Sequence, residues 1–551
     1  MFLRFPPLIT LLFVALSLFS FTWVEGATPA ASADGAAGDL RKSYGDTIIV
    51  GSIGEPSVLI PMLAGDASSH DIAGLVINGL VKYDTDLTII GDLAESWDVS
   101  EDGLTITFHL REGVRWSDGV EFTADDVLFG YRTIIDEKTP TAYAEDFRQI
   151  SRAEVLDRYT FRVTYKKPFA PALSTWGNLT VLPKHLLEGK DITKSELGRH
   201  PVGMGPFKFV RWVPGQEVVL ESNHDYFEGR PYIDRYVYRI IPDPATMFLE
   251  LKTGGVDLMG LTPMQYTRQT VSPLFRKEFR KYRYPVPSYT YLGFNLKRPL
   301  FADKRVRQAL AYGIDKQEIV DGVLLGLGSP ATGPYVPETW PYNPNVKKYE
   351  YDKERALSLL REAGWEDNDG DGLLDKDGSP FEFTILTNMG NNSRLKTATI
   401  IQWRLKMIGI KVNIKAVEWA TFINEFVDKR RFDAVILGWS IGLDPDQYDI
   451  WHSSKTKEKE FNFISFNNSE VDDLLDRGRS VFDIEERKKA YFRIQEILAE
   501  EAPYIFLYVP DATPIVHARF QGIEPAPLIG IRYNINEWYV PRGLQRHRME
   551  E

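Results

Sequence analysis

One short motif in the chain has the residue types of a serine nucleophile. The segment GWSIG (residues 438–442) matches G-x-S-x-G, in which a sharp turn from a strand into a helix exposes the serine for acyl transfer. An apolar strand precedes the motif, but Pro445 follows it, and a proline disfavours helical backbone at the residue before it. The turn therefore lacks its helix. Ser440, with His452 or His517 as its base, is kept only as an alternative interpretation.

A second motif, DNDGDGLLDKDG (residues 367–378), has the residue types of a calcium loop. Its first half fits an EF-hand loop, but Gly378 stands where a bidentate glutamate normally closes the site. Two interpretations stay open: a structural Ca²⁺, or an acidic loop of Asx-turns without an ion. The ligands of such a calcium ion would be Asp367, Asp369, Asp371, Asp375 and the carbonyl of Leu373.

The remaining candidate chemistry is sparse. The eight histidines are scattered, and the chain contains no H-E-x-x-H, no P-loop and no G-x-G-x-x-G after a strand. It also contains no cysteine, which excludes disulfides, thiolate metal sites and a cysteine nucleophile. We therefore expect a protein that is not an enzyme and that requires no cofactor other than the calcium considered above.

The sequence predicts alternating strands and helices, and these elements must position any functional site. Period-two alternation predicts strands at TITFHLR (105–111), TFRVTYK (160–166), FEFTILT (381–387) and KVNIKAV (411–417), and the largely apolar run FDAVILGW (432–439) predicts a further strand. Helical spacing predicts helices within residues 393–408, 419–429, 305–324 and 469–501. The back half therefore reads as consecutive βαβ units on a covered sheet, and the fold class is α/β.

The length and the net charge of the chain further limit the number of domains and the kinds of partner that we expect. At roughly 150 residues per domain, 551 residues predict about three or four domains or lobes. A hydrophobic share of 43% and a charged share of 26% are ordinary for a folded globular protein. Lys+Arg 65 against Asp+Glu 77 gives 65 − 77 = −12, without a basic stripe, so we do not expect a nucleic-acid partner.

The first 26 residues have the layout of a secretory signal peptide. Arg4 precedes an apolar run (residues 8–23), and small residues follow it. The alternative is an uncleaved membrane anchor, but the run lacks a basic stop-transfer flank. Residues 27–40 are small, polar and non-periodic, which is typical of a flexible leader. We expect an exported protein that is cleaved near residue 26 and, having no cysteine, is not a lipoprotein.

The most specific pattern lies between residues 91 and 131. The segment GDLAESWDVSEDGLTITFHLREGVRWSDGVEFTADDVLFGY resembles the signature region of the family 5 extracellular solute-binding proteins of ABC importers, the dipeptide- and oligopeptide-binding group. Further segments match in the same order: VLPKHLLE (181–188), GMGPFKF (203–209), NHDYFEGRPYID (223–234), GFNLKRPLFADKRVRQALAYGIDK (293–316) and GWSIGLDPDQYDIWHSS (438–454). The resemblance covers about residues 45–540.

The resemblance implies a two-lobed, periplasmic-binding-protein-like α/β fold (class II, cluster C type) with an extra inserted subdomain. The implied limits are 40–75, 200–285 and 510–551 for a discontinuous lobe I, 76–199 for the subdomain and 286–509 for lobe II. It also implies a periplasmic monomer that captures a solute between its lobes. Such a protein delivers the solute to permease subunits in the inner membrane and performs no chemistry on it.

In this family the ligand lies in the cleft as an extended peptide whose backbone groups bond to both sides. The residues that the resemblance assigns to the ligand are Trp439, Ser440, Ile441, Gly442, Leu443, Asp444, Glu55, Ser68, His70, Tyr289, Tyr291, Asn388 and Arg394. For the two tyrosines, packing in the core or at the hinge is an equal alternative. Trp97 and Trp116, in the signature itself, are expected in the core.

Two charges that the family uses are missing. Dipeptide and oligopeptide binders carry an aspartate for the ligand's α-amino group where this chain has Gly442. Dipeptide binders place an arginine for the ligand carboxylate just after the strand at 381–387, where this chain has Asn388-Met389-Gly390 and only Arg394 further on. Both departures favour longer peptides, or a neutral or non-peptide ligand, over free dipeptides.

Other classes of function remain as alternatives. A same-fold carrier of a metal chelate, a saccharide or another non-peptide solute would explain the missing charges equally well. A nickel or chelate carrier needs histidine or arginine in the cleft, and His70 and His452 are the histidine candidates. A chemosensory or chaperone role without transport uses the same binding physics and is a second alternative. The secreted serine hydrolase using Ser440 is the third.

Overall fold

A computed structural model describes residues 42–177, 181–337 and 339–547 of the chain. The predicted signal peptide (residues 1–26) and the predicted leader (residues 27–40) both lie outside this described part. The strands are β1 (Thr47–Ser52), β2 (Val81–Tyr83), β3 (Ile89–Gly91), β4 (Ala94–Val99), β5 (Thr105–Leu110), β6 (Ile150–Asp157), β7 (Thr160–Tyr165), β8 (Phe207–Val213), β9 (Glu217–Ser222), β10 (Arg235–Ile240), β11 (Leu258–Gly260), β12 (Phe279–Lys281), β13 (Tyr284–Pro285), β14 (Ser288–Phe294), β15 (Gly328–Pro330), β16 (Asp375–Lys376), β17 (Ser379–Pro380), β18 (Glu382–Asn388), β19 (Lys411–Val417), β20 (Ala434–Ser440), β21 (Tyr504–Ala512) and β22 (Pro514–His517).

The helices alternate with these strands. They are α1 (Ala67–Val76), α2 (Ala124–Ile135), α3 (Ala144–Arg148), α4 (Lys184–Leu187), α5 (Pro244–Thr253), α6 (Pro273–Glu278), α7 (Lys304–Tyr312), α8 (Lys316–Ile319), α9 (Lys353–Glu362), α10 (Asn392–Lys406), α11 (Trp419–Thr421), α12 (Tyr448–Trp451), α13 (Ser469–Ser480) and α14 (Ile484–Glu501). Among the helices of the described ranges, none is both long and apolar enough to cross a lipid bilayer.

The first of two large sheets collects strands from distant parts of the chain. It has seven strands in the order β12-β22-β11-β1-β10-β9-β8, and β1 runs parallel to both β10 and β11. A buried ion cluster ties these segments together, because Arg519 donates to Asp257 at 2.9 Å and to Asp46 at 3.2 Å. All three side chains are 2% exposed or less, so removal of any one would leave an uncompensated buried charge.

A four-stranded antiparallel sheet, β4-β5-β7-β6, forms a separate unit with its own core. Phe108, Phe161 and Val163 are fully buried on one face, which confirms the period-two strands predicted at 105–111 and 160–166. Trp116 is 2% exposed and lies in this core. Trp97 is partly exposed and packs against the core from outside. The signature region therefore builds this unit.

The second large sheet, also of seven strands, runs β13-β21-β14-β20-β18-β19, with β15 added to β21. The chain passes from β18 through α10 to the parallel neighbour β19, which confirms the predicted βαβ unit. One apolar cluster covers each face of this sheet. Burial on both faces explains why β20 reads as a nearly continuous apolar run.

The predicted helical stretches divide where a capping residue interrupts them. Residues 305–324 form α7 and α8 because Gly313 ends the first helix and Asp315 caps the second by accepting from Glu318 N at 3.0 Å. Residues 469–501 form the helix pair α13 and α14, and the Asp483 carboxylate caps α14 by accepting from Glu486 N at 2.9 Å. The stretch at 419–429 is three residues of α11 followed by a π-helical turn.

The backbone passes between the two large sheets at two neighbouring places. One crossing joins β12 to β13, and the other joins β21 to β22 with Thr513 between them. The crossings are fastened to each other, because Tyr284 pairs with Ala512 and Arg283 Nε donates to Asp511 Oδ2 at 2.6 Å. Two short connections of this kind are a suitable hinge for motion of one sheet against the other.

Candidate functional site

A large cavity lies where the two seven-stranded sheets and the four-stranded unit meet. Its volume is about 1230 Å³. The first sheet contributes Ser52 and residues 260–263, and the second contributes residues 288–290 and 437–444. Tyr143 belongs to the four-stranded unit and lines the cavity from a third side. A molecule held here would touch all three parts of the structure.

Trp439 forms an apolar wall on the second sheet. It lies on β20 opposite Tyr289 of β14, and its ring packs against Phe461 and Phe463 with centroids 5.2 and 5.8 Å away. The indole is only partly buried, so one side of it faces the cavity. This wall suits an apolar or extended ligand.

The end of β20 also offers an open backbone edge. Its neighbour β18 pairs with it only at Ala434 and Val435, whereas β20 continues to Ser440. Among the strands of the described part, none pairs with residues 438–440 on that side, and these residues line the cavity. Unpaired N–H and C=O groups at a strand edge can bond to the backbone of an extended peptide.

The aspartates after this wall already have cationic partners. Asp444 accepts from Arg487 Nη2 at 2.8 Å, and Asp446 accepts from Arg479 Nη2 at 2.7 Å. Burial raises the pKa of Asp444, and the Arg487 guanidinium offsets part of that rise. Asp444 lines the cavity, but it is not a free replacement for the carboxylate missing at Gly442.

His70 lies in the wall that faces the four-stranded unit. Its Nε2 is 3.1 Å from the Ala64 carbonyl and 3.2 Å from the Tyr143 hydroxyl. The side chain is held there because Asp66 caps α1, accepting from Ser69 N at 2.9 Å. One ring nitrogen of His70 is therefore already engaged within the protein.

The structure brings most of the predicted site residues together around the cavity. Those that line it are Trp439, Ser440, Ile441, Gly442, Leu443, Asp444, His70, Tyr289 and Arg394. The Tyr289 side chain is nevertheless 1% exposed, with its ring 5.3 Å from that of Phe506. Tyr289 thus joins the wall mainly as part of the packed core.

Four predicted residues lie outside the lining. The Glu55 carboxylate accepts from Trp212 Nε1 at 2.9 Å and from Gly215 N at 3.2 Å, which holds it against the β8–β9 turn. Ser68 lies close to the backbone of Gly54. A Cβ atom added to Gly54 would be only 2.6 Å from the Ser68 hydroxyl oxygen. Both side chains serve the fold of the first sheet.

The other two are buried behind the cavity wall. Tyr291 is 0% exposed and stacks on Tyr504 at 3.9 Å between ring centroids. Asn388 is 4% exposed, and its side-chain oxygen accepts from Arg394 Nη1 at 2.9 Å. Asn388 acts on the cavity only through the arginine that it positions.

Arg394, which is partly exposed, differs in its partner from the buried arginines of the described chain. Its described partner is the neutral amide of Asn388, and burial lowers the pKa of its guanidinium without a carboxylate to oppose the change. The Arg394 Nη2 atom lies close to Gly438. A Cβ atom added to Gly438 would be only 3.0 Å from this nitrogen. A cation without an anion therefore borders the cavity.

Several residues that line the cavity are not among the candidates predicted from the sequence. Tyr143 and Asp146 come from the four-stranded unit, and Asp146 bonds to Arg479 across the boundary with the second sheet. Asp449 also lines the cavity, and burial raises its pKa to about 6. Tyr143 and Asp146 follow no motif, whereas Asp449 lies within the family-like segment 438–454. Only the folded arrangement of separate segments brings the three residues to one place.

The geometry does not assemble a hydrolytic site around Ser440. The next helix begins only at Tyr448, so the turn after β20 is not a nucleophile elbow. His452 Nδ1 bonds to Ser454 Oγ at 2.8 Å, and His517 lies on β22 in the other large sheet, with Arg519 N donating to its Nδ1. The described hydrogen bonds of both histidines are therefore made to residues other than Ser440.

The acidic loop does bring carboxylates together. Oxygen atoms of Asp367, Asp369 and Asp371 lie within 4.8 Å of one another, and all three residues are exposed. Asp375 is engaged differently, because its carboxylate accepts from Asn368 N at 3.1 Å and from Asn368 Nδ2 at 3.0 Å. The Asx-turn hydrogen bonds of the second interpretation are also present, with Gly370 N donating to Asp367 at 2.8 Å. Calcium at this loop stays a prediction.

Comparison with known proteins identifies the family. Residues 88–461 match the family model described as "Bacterial extracellular solute-binding proteins, family 5 Middle". The chain belongs to this family. The oligopeptide-binding protein AppA of Bacillus subtilis is 36% identical over 516 residues, covering 91% of this chain and 93% of the relative.

Several solved structures of binding proteins share the fold. AppA of Bacillus subtilis in complex with a nonapeptide superposes with a TM-score of 0.85 at 36% identity, covering 91% of this chain and 100% of that one. NikZ from Campylobacter jejuni with Ni(L-His) gives 0.83 at 31%, covering 90% and 99%. The periplasmic binding protein DppA from Helicobacter pylori with the peptide STSA gives 0.82 at 29%, covering 91% and 99%. The two-lobed α/β fold is thereby confirmed.

Proposed function

We propose that this family 5 protein captures oligopeptides in the periplasm and delivers them to the permease of an ABC importer. The support from relatives is that AppA is named for oligopeptides and that the DppA structure holds a peptide. The NikZ structure, with its nickel–histidine complex, shows that relatives of this fold also carry other solutes. The choice among these ligands must therefore rest on this chain's own cavity.

The observation that carries the proposal is the open edge of β20 at residues 438–440 on a cavity of about 1230 Å³. Small-molecule pockets typically have volumes of about 300–1,000 Å³, so this cavity has room for a larger ligand. An unpaired strand edge recognises peptide backbone irrespective of sequence, since every residue offers the same N–H and C=O groups. A chelate or a sugar would make no comparable use of that edge.

Charge in the cavity is compatible with a free peptide amino terminus. The acidic residues in the lining are Asp66, Asp71, Asp146, Asp428, Asp444, Asp446, Asp449, Asp511 and Glu460, against the basic residues Arg394 and Lys459. Several of these carboxylates have arginine partners behind the wall. The terminal ammonium would be stabilised by the group as a whole, not by one aspartate at Gly442.

Capture would follow a two-state equilibrium. In the open form the cavity admits the solute, and contacts from both sheets to the solute would favour the closed form that the permease recognises. The monomeric protein would leave the solute chemically unchanged. We assign Ser440 a place in the binding wall and no role as a nucleophile.

Calorimetric titration of the mature protein, beginning at residue 27, tests the peptide assignment. Tetrapeptides and hexapeptides of uncharged residues should bind with micromolar or tighter affinity, and dipeptides at least about tenfold more weakly because they reach fewer backbone partners. Nickel–histidine and oligosaccharides are the comparison ligands. Tight binding of one of these, with no heat from any peptide, would transfer the assignment to that solute.

An esterase assay addresses the enzymatic alternative separately. The wild-type protein should hydrolyse activated esters no faster than Ser440→Ala, since the serine lacks a base and an elbow. Hydrolysis that disappears in Ser440→Ala while peptide binding persists would contradict the pure-carrier assignment.

A further inference from the structure

The four-stranded unit is joined to its two neighbours by different kinds of contact. Toward the first large sheet its apolar core is continuous, because Ile60, Met62 and Met204 pack among the unit's own side chains. Ser117 N also donates to the Gly203 carbonyl at 2.8 Å on this side. Toward the second large sheet, charged side chains meet across the boundary. We therefore expect the unit to move with the first sheet when the cleft opens and closes.

Seven charged side chains meet at this second boundary, and we call them the boundary cluster. Helix α3 of the unit contributes Glu145, Asp146 and Arg148, and the elements packed on the second sheet contribute Asp446, Asp449, Lys455 and Arg479. Arg479 bonds to both Asp146 and Asp446. Lys455 Nζ lies 3.3 Å from Glu145 and 3.4 Å from Asp449. Each of these two cations therefore contacts carboxylates from both sides of the boundary.

The charges balance on the side of the second sheet, but not after the two sides meet. On that side, two carboxylates (Asp446 and Asp449) face the two cations Arg479 and Lys455. On α3, Glu145 has Arg148 at 3.9 Å, whereas no ion pair joins Asp146 to a cation among the described residues of its own unit. The assembled cluster therefore contains four carboxylates and three cations.

The surplus carboxylate is shielded from solvent. The side chains of Arg479 and Asp446 are 2% and 9% exposed. Arg479 Nη1 and Asp449 Oδ1 are buried and have no hydrogen-bond partner within the described chain. Burial raises the pKa of Asp146 and of Asp449, and the nearby cations oppose this rise without cancelling it. Neighbouring carboxylates that share too few cations favour a bound proton.

We infer that closure of the cleft takes up about one proton, which the aspartates of the boundary cluster share. The inference rests on the proposed capture of a solute by closure, and it adds a control by pH. The closed form binds more protons than the open form, in which Asp146 has left the cluster. Acidification therefore favours closure and capture, and a higher pH favours opening and release.

The other titratable groups that face the cluster do not add a surplus charge on closure. Three neighbouring pairs each have their own partner: His452 with Asp472, Asp444 with Arg487, and Lys167 with Asp476. The first two pairs lie wholly on the side of the second sheet, and the third is about half exposed on both members. Burial raises the pKa of the nearby tyrosines above its ordinary value; these are Tyr143, Tyr165, Tyr335, Tyr448 and Tyr491.

Calorimetric titration at about pH 6.5 in two buffers of different ionisation enthalpy, phosphate and imidazole, counts the protons taken up on binding. The probe is an N-acetylated hexapeptide of alanine and serine, whose terminal carboxyl group stays ionised at this pH. The wild-type protein should take up between about one half and one proton per peptide bound. Its affinity should rise about threefold to tenfold between about pH 7.5 and about pH 6.5.

Asp449→Asn should abolish the proton uptake, because it leaves three carboxylates for three cations. Its affinity should then change by less than about twofold over the same interval of pH. A merely structural aspartate would weaken binding equally at both pH values and leave the uptake as in the wild type. Asp146→Asn should abolish the uptake for the same reason, although it also weakens the contact with Arg479.

His452→Gln is the matched control. His452 lies beside the cluster, but its partners Ser454 and Asp472 lie on the same side of the boundary, so closure leaves them in place. This variant should keep the proton uptake of the wild type. Loss of the uptake in His452→Gln would assign the proton to the histidine and overturn the inference.

Small-angle X-ray scattering of the solute-free protein makes the test independent of any peptide. The radius of gyration of the wild type should be smaller at about pH 6 than at about pH 8, and that of Asp449→Asn should be the same at both. Peptide binding without proton uptake would overturn the inference and leave the proposed function intact. If no peptide binds, the proposed function fails, and a radius of gyration that does not depend on pH would then overturn the inference as well.

Discussion

At the scale of single residues, the surroundings of a charged group decide whether it is available to a solute. Asp444 and Arg394 both line the cavity, but Asp444 is paired with Arg487 while Arg394 meets only a neutral amide. Their residue types do not reveal this difference. Arg487 lies far along the chain from Asp444, and Asn388 lies on a different element from Arg394. A sequence motif could therefore identify the two candidates, but it could not show which of them already has a charged partner.

The two tyrosines of β14 illustrate a related limit. Tyr289 and Tyr291 are two residues apart, so the period of a strand places them on the same face. Yet Tyr289 contributes to the cavity wall, and Tyr291 is sealed beneath Tyr504. Strand periodicity predicts a shared face, but which residue of that face also borders the cavity depends on the tertiary packing around it.

His517 provides a pH-dependent prediction at this scale. Burial, with the charges of Arg546 and Arg519, lowers the pKa of His517 to about 4, against an ordinary value near 6.5. Between these values the unfolded chain binds a proton and the folded chain does not, so acidification favours unfolding. This stabilising contribution is complete above about pH 6.5 and is lost as the pH falls toward about 4.

The measurement is urea unfolding at about pH 7.5 and about pH 5. We expect the wild-type protein to lose roughly 1 to 2 kcal/mol more stability on acidification than His517→Gln, after allowance for the partial exposure of the ring. The exposed His224→Gln serves as control and should behave like the wild type. Identical pH dependence in all three proteins would show that His517 does not titrate differently on folding.

At the scale of elements, local patterns predicted the strands and the βαβ unit well. Alternation located β5, β7, β18 and β19 because each buries mainly one face, and a continuous apolar run located β20, which is buried on both faces. The helical stretches were placed correctly, but their division at Asp315 and Asp483 depends on capping geometry. No local sequence pattern predicted that Tyr143 and Asp146 line the cavity, because only tertiary packing brings them to it.

The acidic loop before β16 yields a prediction at the same scale. Three clustered carboxylates repel one another without a cation, so Ca²⁺ should stabilise the native loop. At about a hundredfold excess over the dissociation constant the gain would be about 2.7 kcal/mol, visible as a raised thermal midpoint. Asp369→Asn should remove the effect, whereas Asp377→Asn, outside the cluster, should retain it. An unchanged midpoint at millimolar Ca²⁺ would favour the loop without an ion.

At the scale of the whole molecule, the four-stranded unit is fastened to the second large sheet beside the cavity. Arg479 bonds to Asp146 of the former and to Asp446 of the latter, and Lys455 lies 3.3 Å from Glu145. Arg479 is 2% exposed, so these pairs are well shielded from solvent. We expect them to stabilise the closed form even before a solute binds.

Small-angle X-ray scattering tests this expectation. Asp146→Asn keeps the shape of the side chain and leaves Arg479 its bond to Asp446, so the protein should fold. Loss of one charge-assisted hydrogen bond, worth roughly 1.5 to 3 kcal/mol, should enlarge the solute-free radius of gyration and weaken solute binding. Glu154→Gln, which breaks a surface pair with Arg152, is the control. Unchanged dimensions in Asp146→Asn would mean that these contacts do not hold the closed form.

The most direct test of the central claim is native mass spectrometry of the mature protein purified without denaturation, followed by release and identification of the bound molecules. A cavity enclosed by three parts of the structure should retain its solute through purification. The expected result is a ladder of short peptides of mixed sequence with free carboxyl ends. A single non-peptide mass, such as a metal chelate or a sugar, would contradict the peptide assignment.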